Sequence, residues 1–224
     1  GPANNWRSVA MSANGVNQTA VATNDYIWTS SNSGTTWDKN LLTGSAKNWQ
    51  SVAMSANGVN QTAVVNGGNI WTSVTSGDTW VDKGYTKNWR SVAMSADGIN
   101  QTAVVNEGNI WTSSNSGEIW DENVTTGPTK DWRSVAMTAD GVNQTAVTYG
   151  GNIWTSSDFG VSWVENVTTG PTKFWEAVAM SSDGTKQTAV SEKGNIWTST
   201  NSGVSWSTIN LIPLFIPTKR WESV

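Results

Sequence analysis

Tryptophan recurs along this chain with a spacing that leaves few folds open. It stands at 6, 28, 37, then 49, 71, 80, then 89, 111, 120, then 132, 154, 163, then 175, 197, 206, with a sixteenth at 221. The gaps inside each group are always 22 and 9 residues, and the groups start 43, 40, 43, 43 and 46 residues apart. Every change in length falls between the third Trp of one group and the first of the next, where a surface linker absorbs insertions. The remainder is one unit of fixed length, repeated from near 6, 49, 89, 132 and 175, with a further copy of its opening at 221–224.

One unit reads as four short strands. Trp89–Ser95 is the first, closed by a turn at Ala96–Gly98, and Gln101–Val105 is the second. Asn109–Ser113 and Glu118–Asp121 follow, separated by turns rich in Asn, Ser and Gly. β-Branched and aromatic residues fill the strands, and turn formers fill the gaps. The first two strands are small or apolar on both faces, with Val92 and Met94 on one side and Ser91, Ala93 and Ser95 on the other. A strand of that kind is covered from both sides. A radial stack of four-stranded blades provides such cover, and its repeat length matches. The first and fifth units are as apolar as the middle ones, whereas a linear solenoid needs polar caps. The sequence therefore predicts an all-β chain: a single five-bladed β-propeller over 1–224, closed on itself, with four-stranded antiparallel blades.

Closure poses a question, because Trp6-Arg-Ser-Val9 and Trp221-Glu-Ser-Val224 are both first-strand sequence. The segment between the fifth unit and the second of these, Ile209–Pro217, is apolar where the other linkers are polar. It is expected to cover the seam between blades five and one, with a dimer contact through 209–224 as the alternative. Gly1-Pro2 has the form of a residue pair left by a tag protease, so the native N-terminus is expected to differ.

The turn between the third and fourth strands repeats a pattern: Ser30-Ser-Asn32-Ser-Gly34-Thr-Thr-Trp37, with counterparts ending at Trp80, Trp120, Trp163 and Trp206. It resembles the Asp-box, S-x-D-x-G-x-x-W, of sialidase-type propellers, which also occurs in xyloglucanases, sortilin-like receptors and photosystem II assembly factors. The resemblance covers all five units and implies a propeller, with the box as a structural turn. Only Asp158 keeps the acid of the motif; Asn32, Asn115 and Asn201 replace it, and Thr75 does so once. All of these accept hydrogen bonds from turn N–H groups, so a capping role survives the exchange.

Composition narrows the chemistry. The chain has no Cys and no His, which removes thiol nucleophiles, imidazole bases and the usual transition-metal ligands. No cofactor and no metal site are expected. The formal net charge is -4 and the sequence pI about 4.8, so no nucleic-acid partner is expected. No apolar run is long enough for a membrane helix. The chain is expected to be soluble, with a secreted or extracellular location left open, and monomeric.

Ten Trp, the second and third of each group, read as blade core. The first of each group sits beside polar residues, which makes a candidate ligand site of Trp6, Arg7, Trp49, Gln50, Trp89, Arg90, Trp132, Arg133, Trp175 and Glu176. An indole flanked by hydrogen-bonding side chains can stack a sugar; the plainer reading has these rings plugging the gaps between blades. The turn between the second and third strands varies among units, as recognition loops do, and as drifting solvated turns do.

The resemblance would imply an Arg triad, a Tyr–Glu nucleophile pair and an Asp acid/base. Here Arg7, Arg90 and Arg133 are repeat-equivalent and are expected on a circle rather than converging, and spacing picks out no Glu partner for any Tyr. Catalysis needs non-equivalent groups, so the chain is expected not to be an enzyme. The function expected is a multivalent carbohydrate-binding, lectin-like propeller with equivalent sites between blades. The alternative is a structural or protein-interaction scaffold, including a designed or reconstructed repeat protein with no selected ligand. Glycans or another protein are the expected partners.

Overall fold

A computed structural model describes residues 4–209. The expected apolar linker beyond Ile209 and the Trp221–Val224 copy lie outside the described residues. Twenty strands run in chain order, four to a unit. Blade one contains β1 (Asn5–Met11), β2 (Gln18–Asp25), β3 (Ile27–Ser30) and β4 (Asp38–Asn40). Blade two contains β5 (Lys47–Met54), β6 (Gln61–Gly68), β7 (Ile70–Ser73) and β8 (Val81–Asp82). Blade three contains β9 (Lys87–Met94), β10 (Gln101–Val105), β11 (Ile110–Ser113) and β12 (Asp121–Asn123). Blade four contains β13 (Trp132–Met137), β14 (Gln144–Gly151), β15 (Ile153–Ser156) and β16 (Val164–Asn166). Blade five contains β17 (Lys173–Met180), β18 (Gln187–Ser191), β19 (Ile196–Ser199) and β20 (Ser207–Thr208).

Within each blade the strands pair antiparallel in sequence order. The first strands of neighbouring blades lie against one another and form the inner wall. This is an all-β, five-bladed propeller. The fourth strands differ from expectation: β12 starts at Asp121, after Trp120 rather than before it. The turn itself uses the residues up to Trp120, whose indole N–H donates back to the Gly117 carbonyl at 3.1 Å.

The core lies between blades. Val21 and Ile27 of blade one meet Trp49, Val52, Ala63 and Trp80 of blade two, all buried, and the same residue set recurs at the next three interfaces. A buried indole contributes on the order of 4–6 kcal/mol of gross transfer free energy before entropy. Polar groups join the same interfaces. Thr19, Thr62, Thr102 and Thr145 each donate a side-chain bond to the Gln of the following blade, at 2.6 to 2.8 Å. Main-chain bonds link the turns after the first strands, from Ala13 to Ala56, Ala96, Ala139 and Ser182 in succession.

The second strands reach further than one blade. Past the residues paired within the blade, β2 pairs with β5, β6 with β9 and β14 with β17, and a bridge joins Gly108 to Lys130. The expected seam between blades five and one is not packed among the described residues. Trp6 is 48 % exposed and Val9 59 %.

Candidate functional site

Four of the candidate Trp are not available to a ligand. Trp49, Trp89, Trp132 and Trp175 are completely buried in the interblade clusters, and each meets the third-strand Trp of its own blade edge to face, with ring centroids 5.9 to 6.1 Å apart. A closed ring face cannot stack a sugar, so the plainer packing role holds at these positions. Trp6 makes the same pair with Trp28 at 6.3 Å but is exposed.

The residues that follow these Trp behave differently, and a local irregularity explains why. In every blade the pairing of the first two strands shifts register just after the Trp, skipping Arg7, Gln50, Arg90, Arg133 and Glu176 in turn. Each is the extra residue of a β-bulge, and a bulge re-aims the side chain it carries. The Trp turns into the blade interface while its neighbour reaches the end of the second strand. Arg7 Nε donates to Thr23 Oγ1 at 2.8 Å, and Arg90 donates to Asn106 Oδ1 at 3.2 Å. Arg133 pairs with Asp131 at 2.9 Å, and its guanidinium lies 4.4 Å from the Tyr149 ring centre.

Three varied series thus meet at one end of the inner wall. The first is the bulge residues. The second is the ends of the second strands, Thr23, Asn66, Asn106, Tyr149 and Glu192. The third is the residues preceding the Trp, which pair across blades as Thr23 with Asn48, Asn66 with Asn88 and Tyr149 with Phe174. Tyr149 stacks on Phe174 with centroids 4.7 Å apart and donates its hydroxyl to Glu192 at 2.7 Å.

The charges of this mouth sense one another across the propeller. Burial, and then the Arg133 charge, hold the Arg90 guanidinium below its ordinary range, with Arg7 of blade one adding and Asp131 and Glu176 opposing. Burial pushes the Asp131 carboxyl up against the pull of Arg133 and Arg90. Each arginine keeps its hydrogen bond or ion pair on or beside its own blade, at the same place in the repeat, as a circle of equivalent positions requires. Three polar atoms there, Nε of Arg90, Nε of Arg133 and Oδ1 of Asp131, are buried without a hydrogen-bond partner. The varied turn between the second and third strands, read in the sequence either as a recognition loop or as a drifting turn, lies beside these residues. The signal for it was present: units that hardly vary elsewhere vary at these positions.

Two grooves recur at equivalent places. One of about 420 Å³ is lined by Lys47, Asn48, Asn66, Trp71 and Asp82, among others. Its counterpart, of about 370 Å³, is lined by Lys87, Asn88, Asn106, Trp111 and Glu122. The Lys ammonium sits over the Trp ring in both, 4.9 and 5.2 Å from its centre.

The box positions are turn acceptors whatever their charge. Oδ1 of Asn32, Asn115, Asp158 and Asn201, and Oγ1 of Thr75, each accept the backbone N–H four residues on at 2.9 to 3.0 Å.

No protein-family model matches the sequence, and no curated protein matches it. Solved structures do. The chain is similar to the GH74 enzyme of Niastella koreensis, with a TM-score of 0.71 and 18 % identity over 92 % of this chain and 31 % of that one. It is similar to YCF48 bound to D1 peptide, with a TM-score of 0.66 and 15 % identity over 91 % of this chain and 68 % of that one. It is also similar to the Cps50 (Swd1) β-propeller domain of Myceliophteria thermophila, with a TM-score of 0.68 and 10 % identity over 99 % of this chain and 70 % of that one. At these identities the likeness concerns the propeller fold.

The expectation that the chain is not an enzyme is overturned by the glycoside hydrolases among these structures. It rested on the equivalence of the repeats, and that equivalence breaks down at the mouth, where the blades contribute Arg, Gln and Glu at one repeat position. Among the described residues no helix is long and apolar enough to cross a membrane.

Proposed function

We propose that the chain is a binding module of the Asp-box propeller type whose polar mouth takes a charged segment of a partner protein. The observation that carries this reading is the convergence of the varied side chains on one place, with buried guanidinium and carboxylate atoms left unpartnered. The chain has only four Arg in 224 residues, and three of them stand here. Arg presents a planar fork suited to carboxylates. A carboxylate of the partner lies against Arg7 and Arg90, and a cationic group lies towards Glu192. One neighbour in fold, YCF48 bound to D1 peptide, supports a protein partner.

The test is anisotropy titration with a labelled peptide of alternating Glu and Lys. Arg90→Gln should weaken binding about tenfold, the loss of one charge-assisted hydrogen bond, and added salt should weaken it further. Binding that neither change moves would refute the site. A second reading, multivalent carbohydrate binding, is favoured by the pair of equivalent polar grooves beside Trp71 and Trp111. Calorimetry with neutral oligosaccharides separates the two: heat of binding that survives Arg90→Gln and is lost in Lys47→Ala and Lys87→Ala supports the grooves.

A further inference from the structure

The two flanks of the array are the two halves of one interface. At each internal joint the preceding blade supplies a Val and an Ile, and the following blade a Trp and a Val. Blade five supplies the first half again as Val190, which is buried, and Ile196. Ile196 is partly exposed, whereas Ile27, Ile70, Ile110 and Ile153 are completely buried. Blade one supplies the second half as Trp6 and Val9, which are 48 % and 59 % exposed, whereas Trp49, Trp89, Trp132 and Trp175 are buried completely.

The polar complement is split in the same way. Four Thr-to-Gln bonds cross the internal joints; Thr188 on blade five and Gln18 on blade one are the terminal members of that series. Glycine environments agree. A Cβ on Gly58, Gly98 or Gly141 would meet an Asn of the preceding blade at 2.6 to 2.9 Å, but one on Gly15 would meet nothing within 4 Å.

We propose that two copies of this chain join head to tail, blade five of each seated on blade one of the other, through a joint of the kind already made four times within the chain. Each copy carries one of each half, so two joints close the assembly. A second copy brings Trp6, Val9 and Gln18 together to blade five and covers blade one in the same step.

The test uses the full chain with Val9→Asp on one flank and Ile196→Asp on the other, sized by sedimentation over a wide concentration range. The native chain should be dimeric and each variant monomeric. An equimolar mixture of the variants should restore a dimer, because it recreates one native joint. A native chain that stays monomeric at every concentration, or a dimer that neither variant disturbs, would overturn the proposal. The chain has no Cys, so Gln18→Cys with Thr188→Cys gives a second readout that needs no disruptive charge. A short thiol-reactive cross-linker should yield covalent dimer. A product confined to single chains, or none, would overturn the proposal as well.

Discussion

The flank of blade one and the flank of blade three have almost the same sequence and different environments. Trp6-Arg-Ser-Val9 and Trp89-Arg-Ser-Val92 match residue for residue, yet Trp6 is 48 % exposed and Trp89 fully buried. The neighbour makes the difference, since blade two covers the second flank. Here burial belongs to the joint, and the stabilisation that an interior Trp gives is drawn from two blades at once.

Substitutions at matched positions should expose that difference. In the Ile196→Asp chain, which is held monomeric, Trp89→Ala removes an indole from a closed joint and should cost about 3–5 kcal/mol, while Trp6→Ala should cost about 1 kcal/mol or less. Urea denaturation in that background checks it, and equal losses would mean that blade one is covered within the monomer itself. The next effect is steric. Gly98 has φ 78° and Gly15 φ 72°, so both lie in the left-handed region, but only at Gly98 would a Cβ run into Asn60, at 2.6 Å. Gly98→Ala should lose about 3 kcal/mol from backbone strain and overpacking together, and Gly15→Ala about 1 kcal/mol from strain alone. Thermal melts of the pair measure the gap.

The smallest effect should ignore the flanks, because it is made inside each blade. The turn after the first strand is capped by Asn14 and Asn57 in blades one and two and by Asp97, Asp140 and Asp183 in the others. Hydrogen bonds from the Ser181 hydroxyl and the Thr185 amide lower the Asp183 carboxyl to about 2. A carboxyl depressed in the folded state stabilises above the unfolded value near 3.8, and that contribution is lost as pH falls towards 2. Asp183→Asn should therefore flatten part of the acid limb of stability between about pH 4 and about pH 2. Denaturation curves at the two ends of that range would show an unchanged slope if the cap carried no such linkage.

Much of the fold is legible in the tryptophan spacing, since a 22-and-9 pattern held over five units leaves little choice of blade architecture. The capping turns are legible too, because Asn, Thr and Asp share the acceptor that the backbone needs. The mouth is not. Alternation along Trp89-Arg-Ser-Val places Arg90 by simple parity, and the bulge breaks that parity in every blade. No residue type announces it, because the extra residue is a matter of register between two strands. The exposure of Trp6 is equally hidden, as a strand's sequence does not say whether a neighbour is present.

The bonds from Ala13 through Ala56, Ala96 and Ala139 to Ser182 are made wholly by main chain. Side-chain identity plays no part in them: Ser182 accepts where the other blades have Ala. A blade added by tandem duplication would find this clasp ready on both sides, with no matching substitution needed in its neighbours. Growth by copying is then tolerated from the first generation, and the side chains at the mouth are left free to diverge.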